Sequence, residues 1–499
     1  MTTEKTISAI KNHCPPILSE GIFEDCAFDT IIGQYISNPA QYLTCDTKSI
    51  IERNKIIKLL IENTELYKAL SSLRETLDEL ENIPIDKDSD PVHVIGGLQI
   101  FLEIYRKLGE AREALRGTIA ASQEGLADST IFLYIENDIQ HVLDKFFSDN
   151  FEEVFSKIVT DQPGAIGFLA IFDDEARLSH LSLASAYHQR FKKPPFWKED
   201  MEHKYIGETI MLPATPGFSI TKGPSSGDHF PYWYGVYINT FLRAHASAGA
   251  RQAALYAKAI SSALKSTQAY MSFFLGAADF ARSLPIYTFA EVREMDAAAF
   301  NAHQLYHPLY SRHVTRNSLR LTRDSSVALV GGINKGGKTT FLRSVAIAQV
   351  LFQMGLPVPA HEASLSPASS IVCAFNRDEN AGYGYGKLGQ ELLQLKDSLS
   401  ILDENGFFLF NEPLTASTPS ECSLLSLEAL CVVKALGARG IMITHFHELH
   451  GYIKEINQKL PGGQVFSLRT VVESDDLPEF SIVHGAPVGG SGARGFLRD

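Results

Sequence analysis

The sequence predicts a mainly α-helical N-terminal region followed by an α/β domain built on a parallel sheet. Three observations carry this expectation. Up to about residue 300, long stretches poor in Gly and Pro repeat apolar residues at helical spacing. After about Asn301, short apolar runs of strand length alternate with helical segments. One of those runs passes through a glycine-rich turn directly into a helix. At 499 residues, 45% hydrophobic and 21% charged, the chain is long enough for two or three cores and ordinary enough in composition to exclude wholesale disorder.

The helical region justifies itself element by element. No Gly or Pro interrupts Lys48 to Asn82, and Leu66, Leu70, Leu73, Leu77 and Leu80 recur at three- and four-residue steps, an apolar seam that packs inside a core. Ile83-Pro84 and the polar stretch Asp86–Asp90 end it; helical patterns resume over Val94–Ser122 and from about Thr130 to Val159. Between Phe191 and Tyr237 six prolines forbid a long helix, and both tryptophans, Trp197 and Trp233, sit there among other aromatics. That stretch reads as an irregular or β-containing insertion. An Ala-rich helix over Ala250–Leu284 then stops at Pro285. The expected division is residues 1–185 helical, 186–245 insertion, 246–300 returning helix and 301–499 the α/β domain.

Within that last domain, Ser326–Val330, Phe407–Phe410 and Ile441–Ile443 are apolar runs of buried-strand length. Helices are expected near Thr339–Met354 and over Glu421–Leu436, and their alternation with the strands predicts parallel pairing.

Charge and cysteine usage narrow the function classes. A net charge of −13 excludes a chain that coats nucleic acid with its whole surface, so any DNA contact is local. The six cysteines show no C-x-x-C spacing and read as reduced thiols, not a zinc site or disulfide frame. No secretory h-region and no apolar run of membrane-spanning length is apparent, and the expectation is a cytoplasmic protein without a membrane partner.

The glycine-rich turn carries the chemistry. Gly332-Ile333-Asn334-Lys335-Gly336-Gly337-Lys338-Thr339-Thr340 contains G-x-x-x-x-G-K-[ST] between a strand and a helix. Glycines let successive backbone N–H groups curl around phosphates, and the following helix aims its positive dipole end at them. Lys338 is placed to reach β/γ oxygens, and the Thr339 hydroxyl to ligate Mg2+ beside bound ATP. Some seventy residues on, Phe407–Phe410 ends in Asn411-Glu412. Such a strand delivers its last side chains to the carboxyl edge of the sheet. Glu412 is the expected base for the attacking water, and Asn411 with Glu412 completes the metal set. His445, after the strand Ile441–Ile443, is a third catalytic candidate, able to hydrogen-bond the γ-phosphate or the water. These features predict an ATPase with a P-loop NTPase domain.

Taken together, these residues resemble the MutS family. Gly332–Thr340, GINKGGKTT, is similar to its G-P-N-x-G-G-K-S-T loop. Gly355–Ala360 resembles its G-x-x-V-P-A segment, Glu412 with Thr415–Thr418 its D-E-x-G-x-G-T-S-T stretch, and Thr444–Leu449 its T-H-x-x-E-L. His307-Pro308 sits where the family has H-P, and Ile51–Asn63 looks like its R-x-x-x-I-x-x-L core helix. The resemblance implies an ABC-like ATPase domain that forms a homodimer around nucleotide, lever helices, a clamp-like insertion, DNA as a partner, and a role in mismatch repair or recombination. It also implies a shortened form, beginning almost at the core without the mismatch-reading and connector domains.

Departures temper this. Asn411 replaces an aspartate, and losing one charge-assisted contact to the metal shell is worth roughly 1.5–3 kcal/mol, which predicts slow hydrolysis. The family's serine, supplied in trans, falls in a segment that here reads Gly382-Tyr383-Gly384-Tyr385-Gly386-Lys387. Two further signals stay open. Arg190, Lys192, Lys193, Lys198 and Lys204 among aromatics form either a DNA-contacting tip or a solvated loop, and Arg312, Arg316, Arg320 and Arg323 line the approach to the first ATPase strand. Two other function classes compete with a DNA-associated ATPase: an ATP-dependent protein-interaction switch that hydrolyses little and binds no DNA, and a small-molecule phosphotransferase.

Overall fold

A computed structural model describes residues 15–81, 91–121, 130–147, 165–172, 178–187, 258–310, 315–333, 336–375, 386–472 and 478–487. Along the chain the strands are β1 (Ile17–Leu18), β2 (Ala165–Phe172), β3 (Leu178–Tyr187), β4 (Glu291–Val292), β5 (Phe300–Leu305) and β6 (Asn317–Leu321). They continue with β7 (Val327–Gly331), β8 (Glu362–Leu365), β9 (Ser370–Phe375), β10 (Phe407–Asn411), β11 (Arg439–Ile443), β12 (Val465–Val472) and β13 (Pro478–His484). The chain divides into two compact units, one made of residues 1–67 with 270–499 and the other of residues 68–269.

The first unit is a mixed α/β domain around a seven-stranded sheet of order β1-β9-β10-β11-β7-β12-β13. Every neighbouring pair is parallel except β12 with β13. Strands β7, β9 and β11 are buried at every residue, which is why they are largely apolar, with Ser370 opening β9 and Arg439 opening β11. Alternate side chains serve opposite faces. Val327, Leu329, Val372, Phe408, Phe410 and Met442 join one core with Ala429, Leu430 and Val433 of the helix Pro419–Leu436 and with Leu449 and Ile456 of the helix Leu449–Lys459. A second, four-stranded sheet of order β4-β8-β5-β6 completes the unit.

Here the expected division at residues 185 and 301 gives way. Ile17 and Leu18 pair with Ser370 and Ile371, so the N-terminal segment supplies an outer strand of the α/β sheet. The helix Thr47–Glu62 belongs to the same unit and carries Arg53, 2% exposed, against the end of the helix Lys338–Gln353. Arg53 Nη1 donates to Tyr42 O and to Met354 O. Gly355, at φ 77, closes that turn, and a Cβ there would lie 2.6 Å from Arg53 Cβ. The glycine of the Gly355–Ala360 segment and the arginine of the Ile51–Asn63 segment are thus packing partners.

The Gly- and Pro-free stretch 48–81 is two helices, not one. Asn63 takes an extended ψ of 92 after Thr47–Glu62, and its Oδ1 accepts from Leu66 N to cap Thr64–Glu81. In the second helix Leu66, Leu70, Leu73 and Leu77 are buried, as a packing seam requires; Leu80's side chain lies outside the described residues.

The second unit contains the helices Pro91–Ala121 and Thr130–Phe146, with Ile104, Leu108, Leu115, Ile135 and Ile139 buried and Glu136 bridging Arg112 and Arg116. The mainly helical region 1–185 also contains strands. β2 and β3 form an antiparallel pair there, because Ala165–Phe172 is a strand-length run rich in Ile and Phe with no helical repeat. The helix expected over Ala250–Leu284 is present over 258–283. Of the insertion at 186–245, Ala186 and Tyr187 end β3, and the rest, with Trp197, Trp233 and the basic residues Arg190, Lys192, Lys193, Lys198 and Lys204, lies outside the described residues.

Candidate functional site

The site forms where the parallel strands β7, β11 and β10, adjacent in that order, present their carboxyl ends. β7 leaves the core at Gly331 and the chain turns through Gly332, at φ 133, where a Cβ would stand 2.1 Å from Thr470 Oγ1. Only glycine fits that turn. Gly336 N donates to Ile333 O at 3.3 Å, and Gly337, at φ 81, opens the helix Lys338–Gln353 without any side-chain cap. Among the described residues no side chain caps the first N–H groups of that helix, an arrangement able to accept an anion. Asn334 and Lys335 lie outside the described residues; Thr340 sits in the first turn, its carbonyl accepting from Ser344 Oγ.

Lys338 is 5% exposed. Its Nζ donates to Gly332 O at 2.8 Å and stands 3.5 Å from Glu412 Oε1. Burial pulls its ammonium below the ordinary lysine pKa, and the Glu412 carboxylate works against that shift. Thr339 Oγ1 donates to Asn411 Oδ1 at 3.3 Å. Glu412 follows the last residue of β10 and adopts φ 50, a left-handed conformation rare for glutamate. Its N–H donates to Ile443 O, the end of β11, at 3.1 Å. His445 Nδ1 lies 3.8 Å from Glu412 Oε2. Thr444, between Ile443 and His445, ties back through its N–H to Val330 O and accepts from Phe446 N on its own hydroxyl. The structure thus brings Lys338, Thr339, Asn411, Glu412 and His445 together.

Other expected participants sit elsewhere. His307 is 2% exposed; its pKa is depressed to about 4 by burial and then by the Arg343 cation, and its Nδ1 accepts from Leu309 N. Arg316 lies over the Tyr306 ring, while Arg323 binds Asp296 O and approaches Glu404. Arg320 is exposed on β6, and Arg312 lies outside the described residues. Of Gly382–Lys387, Gly386 and Lys387 open the helix Lys387–Ser400, and Gly382–Tyr385 lie outside the described residues.

Three contributors carry no local motif. Thr470 of β12 is 6% exposed, and its hydroxyl, with no hydrogen-bond partner among the described residues, lies under Gly332 and Gly336. Phe480 of β13 is 45% exposed at φ 55, and a Cβ on Gly337 would meet its Cβ at 3.1 Å. Asn317 holds that strained backbone, donating from Nδ2 to Phe480 O and accepting on Oδ1 from Ile482 N. Glu391, 7% exposed on the helix Lys387–Ser400, grips the loop after Glu412 at Thr415 and Ala416. An acid among the apolar positions of an amphipathic helix was the one sequence signal any of them offered.

Residues 328–477, which hold every site residue named above except Phe480 and Asn317, match the model of the family described as MutS domain V. That stretch is similar to MutS domain V. Among its relatives is the Endonuclease MutS2 of Staphylococcus carnosus (strain TM300), 29% identical over 149 residues, which are 30% of this chain and 19% of the relative. The Endonuclease MutS2 of Staphylococcus aureus is 25% identical over 184 residues, 36% of this chain and 25% of the relative. The matched stretch thus spans a quarter or less of these MutS relatives. Among the described residues, no helix is long and apolar enough to cross a membrane.

Proposed function

We propose that domain V of this chain is an ABC-like P-loop ATPase that binds Mg-ATP and hydrolyses it slowly. The observation that carries the reading is the convergence of Lys338 Nζ, Thr339 Oγ1, Asn411, Glu412 and His445 at the ends of three adjacent parallel strands. The amides opening the helix Lys338–Gln353 receive the β-phosphate, and Lys338 exchanges Gly332 O for β/γ oxygens. Glu412 takes the proton of a water that attacks the γ-phosphorus as the bond to the β-bridging oxygen breaks and ADP leaves with its electrons. His445, beside Glu412, orients that water. Phe480 offers an apolar ring beside Gly337 for the base.

The oxygens of Thr339 and Asn411, 3.3 Å apart, with Glu412 next in sequence, are the hard donor class magnesium takes. When bound there, the ion neutralises charge developing on the phosphate oxygens. Asn411 supplies a neutral oxygen in place of a carboxylate, and that is the basis for slow turnover.

The relatives' name, endonuclease, directs the partner proposal to DNA, with the clamp-like insertion at 186–245 and homodimer closure through the ATPase domain as the means of grip. Asn411 favours a second reading, a nucleotide-bound switch that docks proteins and leaves DNA alone. Two measurements decide. Glu412→Gln is expected to abolish phosphate release while calorimetric ATP affinity stays within about threefold, and parallel loss of both would overturn Glu412 as base. Retention of linear, mismatched and branched DNA that rises with ATP and falls steeply with salt supports the first reading, and none at low salt supports the second.

A further inference from the structure

Glu412 is held where its sequence does not want it. The next residue is Pro413, and a residue before proline prefers extended backbone. Glu412 nevertheless sits at φ 50. A non-glycine residue persists in that region only where its surroundings over-determine it. On the N-terminal side β10 and the bond from Glu412 N to Ile443 O fix it. On the C-terminal side Leu414 is 1% exposed, and the next two residues are gripped by one carboxylate. Glu391 Oε2 accepts from Thr415 N at 2.8 Å and from Ala416 N at 3.0 Å, while Oε1 accepts from Thr415 Oγ1 at 2.8 Å.

We propose that Glu391 is a positioning residue for the hydrolytic step: by clamping Thr415 and Ala416 it keeps Glu412 in its left-handed conformation, with the carboxylate turned toward Lys338 and His445. Released, the Glu412-Pro413 link relaxes toward extended backbone and the carboxylate swings off the water. The inference rests on Glu412 being the base, so its test has an arm that does not need hydrolysis.

Glu391→Leu keeps helix propensity and volume but removes all three bonds. It is expected to lower kcat by roughly ten- to a hundredfold, the scale of an ångström-sized misplacement, while the Kd for ATP and the KM stay within about threefold. Glu391→Gln, whose oxygen can take both amides and whose amide can meet the Thr415 hydroxyl, is expected to recover most of the lost turnover. Hydrogen exchange of peptides spanning Phe407–Leu414 should quicken in Glu391→Leu while those of β11 stay protected. Unchanged kcat, a matching rise in Kd, failure of the glutamine variant, or unaltered exchange at Phe407–Leu414 each overturns the proposal. Should the unmutated chain release no phosphate, the ATPase reading falls and the exchange arm alone decides the clamp. Should the leucine variant not fold, Thr415→Val, which removes the hydroxyl bond from the other side, is expected to lower kcat by about threefold, and an unchanged kcat overturns the proposal.

Discussion

The helix Lys338–Gln353 begins and ends in opposite ways. Its first turn has no side-chain cap, and its lysine divides a buried ammonium between Gly332 O and Glu412. Its last turn is saturated. Gln353 donates to Thr44 O and Ala368 O and accepts from Ala368 N, Thr44 N binds Gln353 O, and Arg53 sits on Met354 O, a cation at the negative end of the dipole. The two turns belong to one rigid rod, so the contrast is informative. The end proposed to receive phosphates is left underused at some cost to stability, and the far end is over-tied, which holds the rod in register.

The largest expected effect tests the front end. Lys338→Ala removes the ammonium proposed to meet phosphate together with its bonds to Gly332 O and Glu412, so ATP affinity by calorimetry should fall at least roughly a hundredfold, with the thermal midpoint much less affected. A comparable loss of stability would break the contrast, because the front end would then be structural too. Next comes the back end. Arg53→Met leaves Tyr42 O and Met354 O without their donor, and chemical denaturation should show a loss of roughly 2–4 kcal/mol with ATP affinity kept. If affinity falls in step, the two ends are not separable. The smallest effect sharpens the picture on the helix flank. His307, beside Arg343 and held neutral in the fold with a pKa near 4, titrates near its ordinary value once unfolded. The unfolded chain binds the proton first, so the contribution of His307 is present above the unfolded pKa and is lost as pH falls toward 4. Between pH 7 and pH 5 it amounts to about 2 kcal/mol, and His307→Gln should flatten the stability-against-pH curve by that much.

What could be read beforehand follows the range of the interactions. The turn Gly332–Thr339, the strand ending in Asn411-Glu412 and the strand before His445 were legible because each needs a short run of defined residue types in a row. Their meeting at one sheet edge followed from parallel pairing, though β11 stands between the other two strands, an order no local pattern dictates. Asn63's role was hidden because a side-chain cap splits helices as effectively as a proline while looking like any polar residue. Thr470 and Phe480 come to the loop from strands more than a hundred residues downstream, and Glu391 reaches across 24 positions to Thr415. Glu391's place among the apolar positions of its helix is the one local signal, and nothing in the neighbourhoods of Thr470 and Phe480 announces them.

The pairing of Ile17–Leu18 on β9 carries a practical consequence for handling this protein. A fragment cut to begin near Asn301 would bare one margin of the seven-stranded sheet, leaving the carbonyls of Ser369 and Ile371, which take Ile17 N and Ser19 N, open to any other extended chain. Those groups are shielded because the polypeptide returns its opening residues to them, so the handling of the α/β unit depends partly on the first seventy residues.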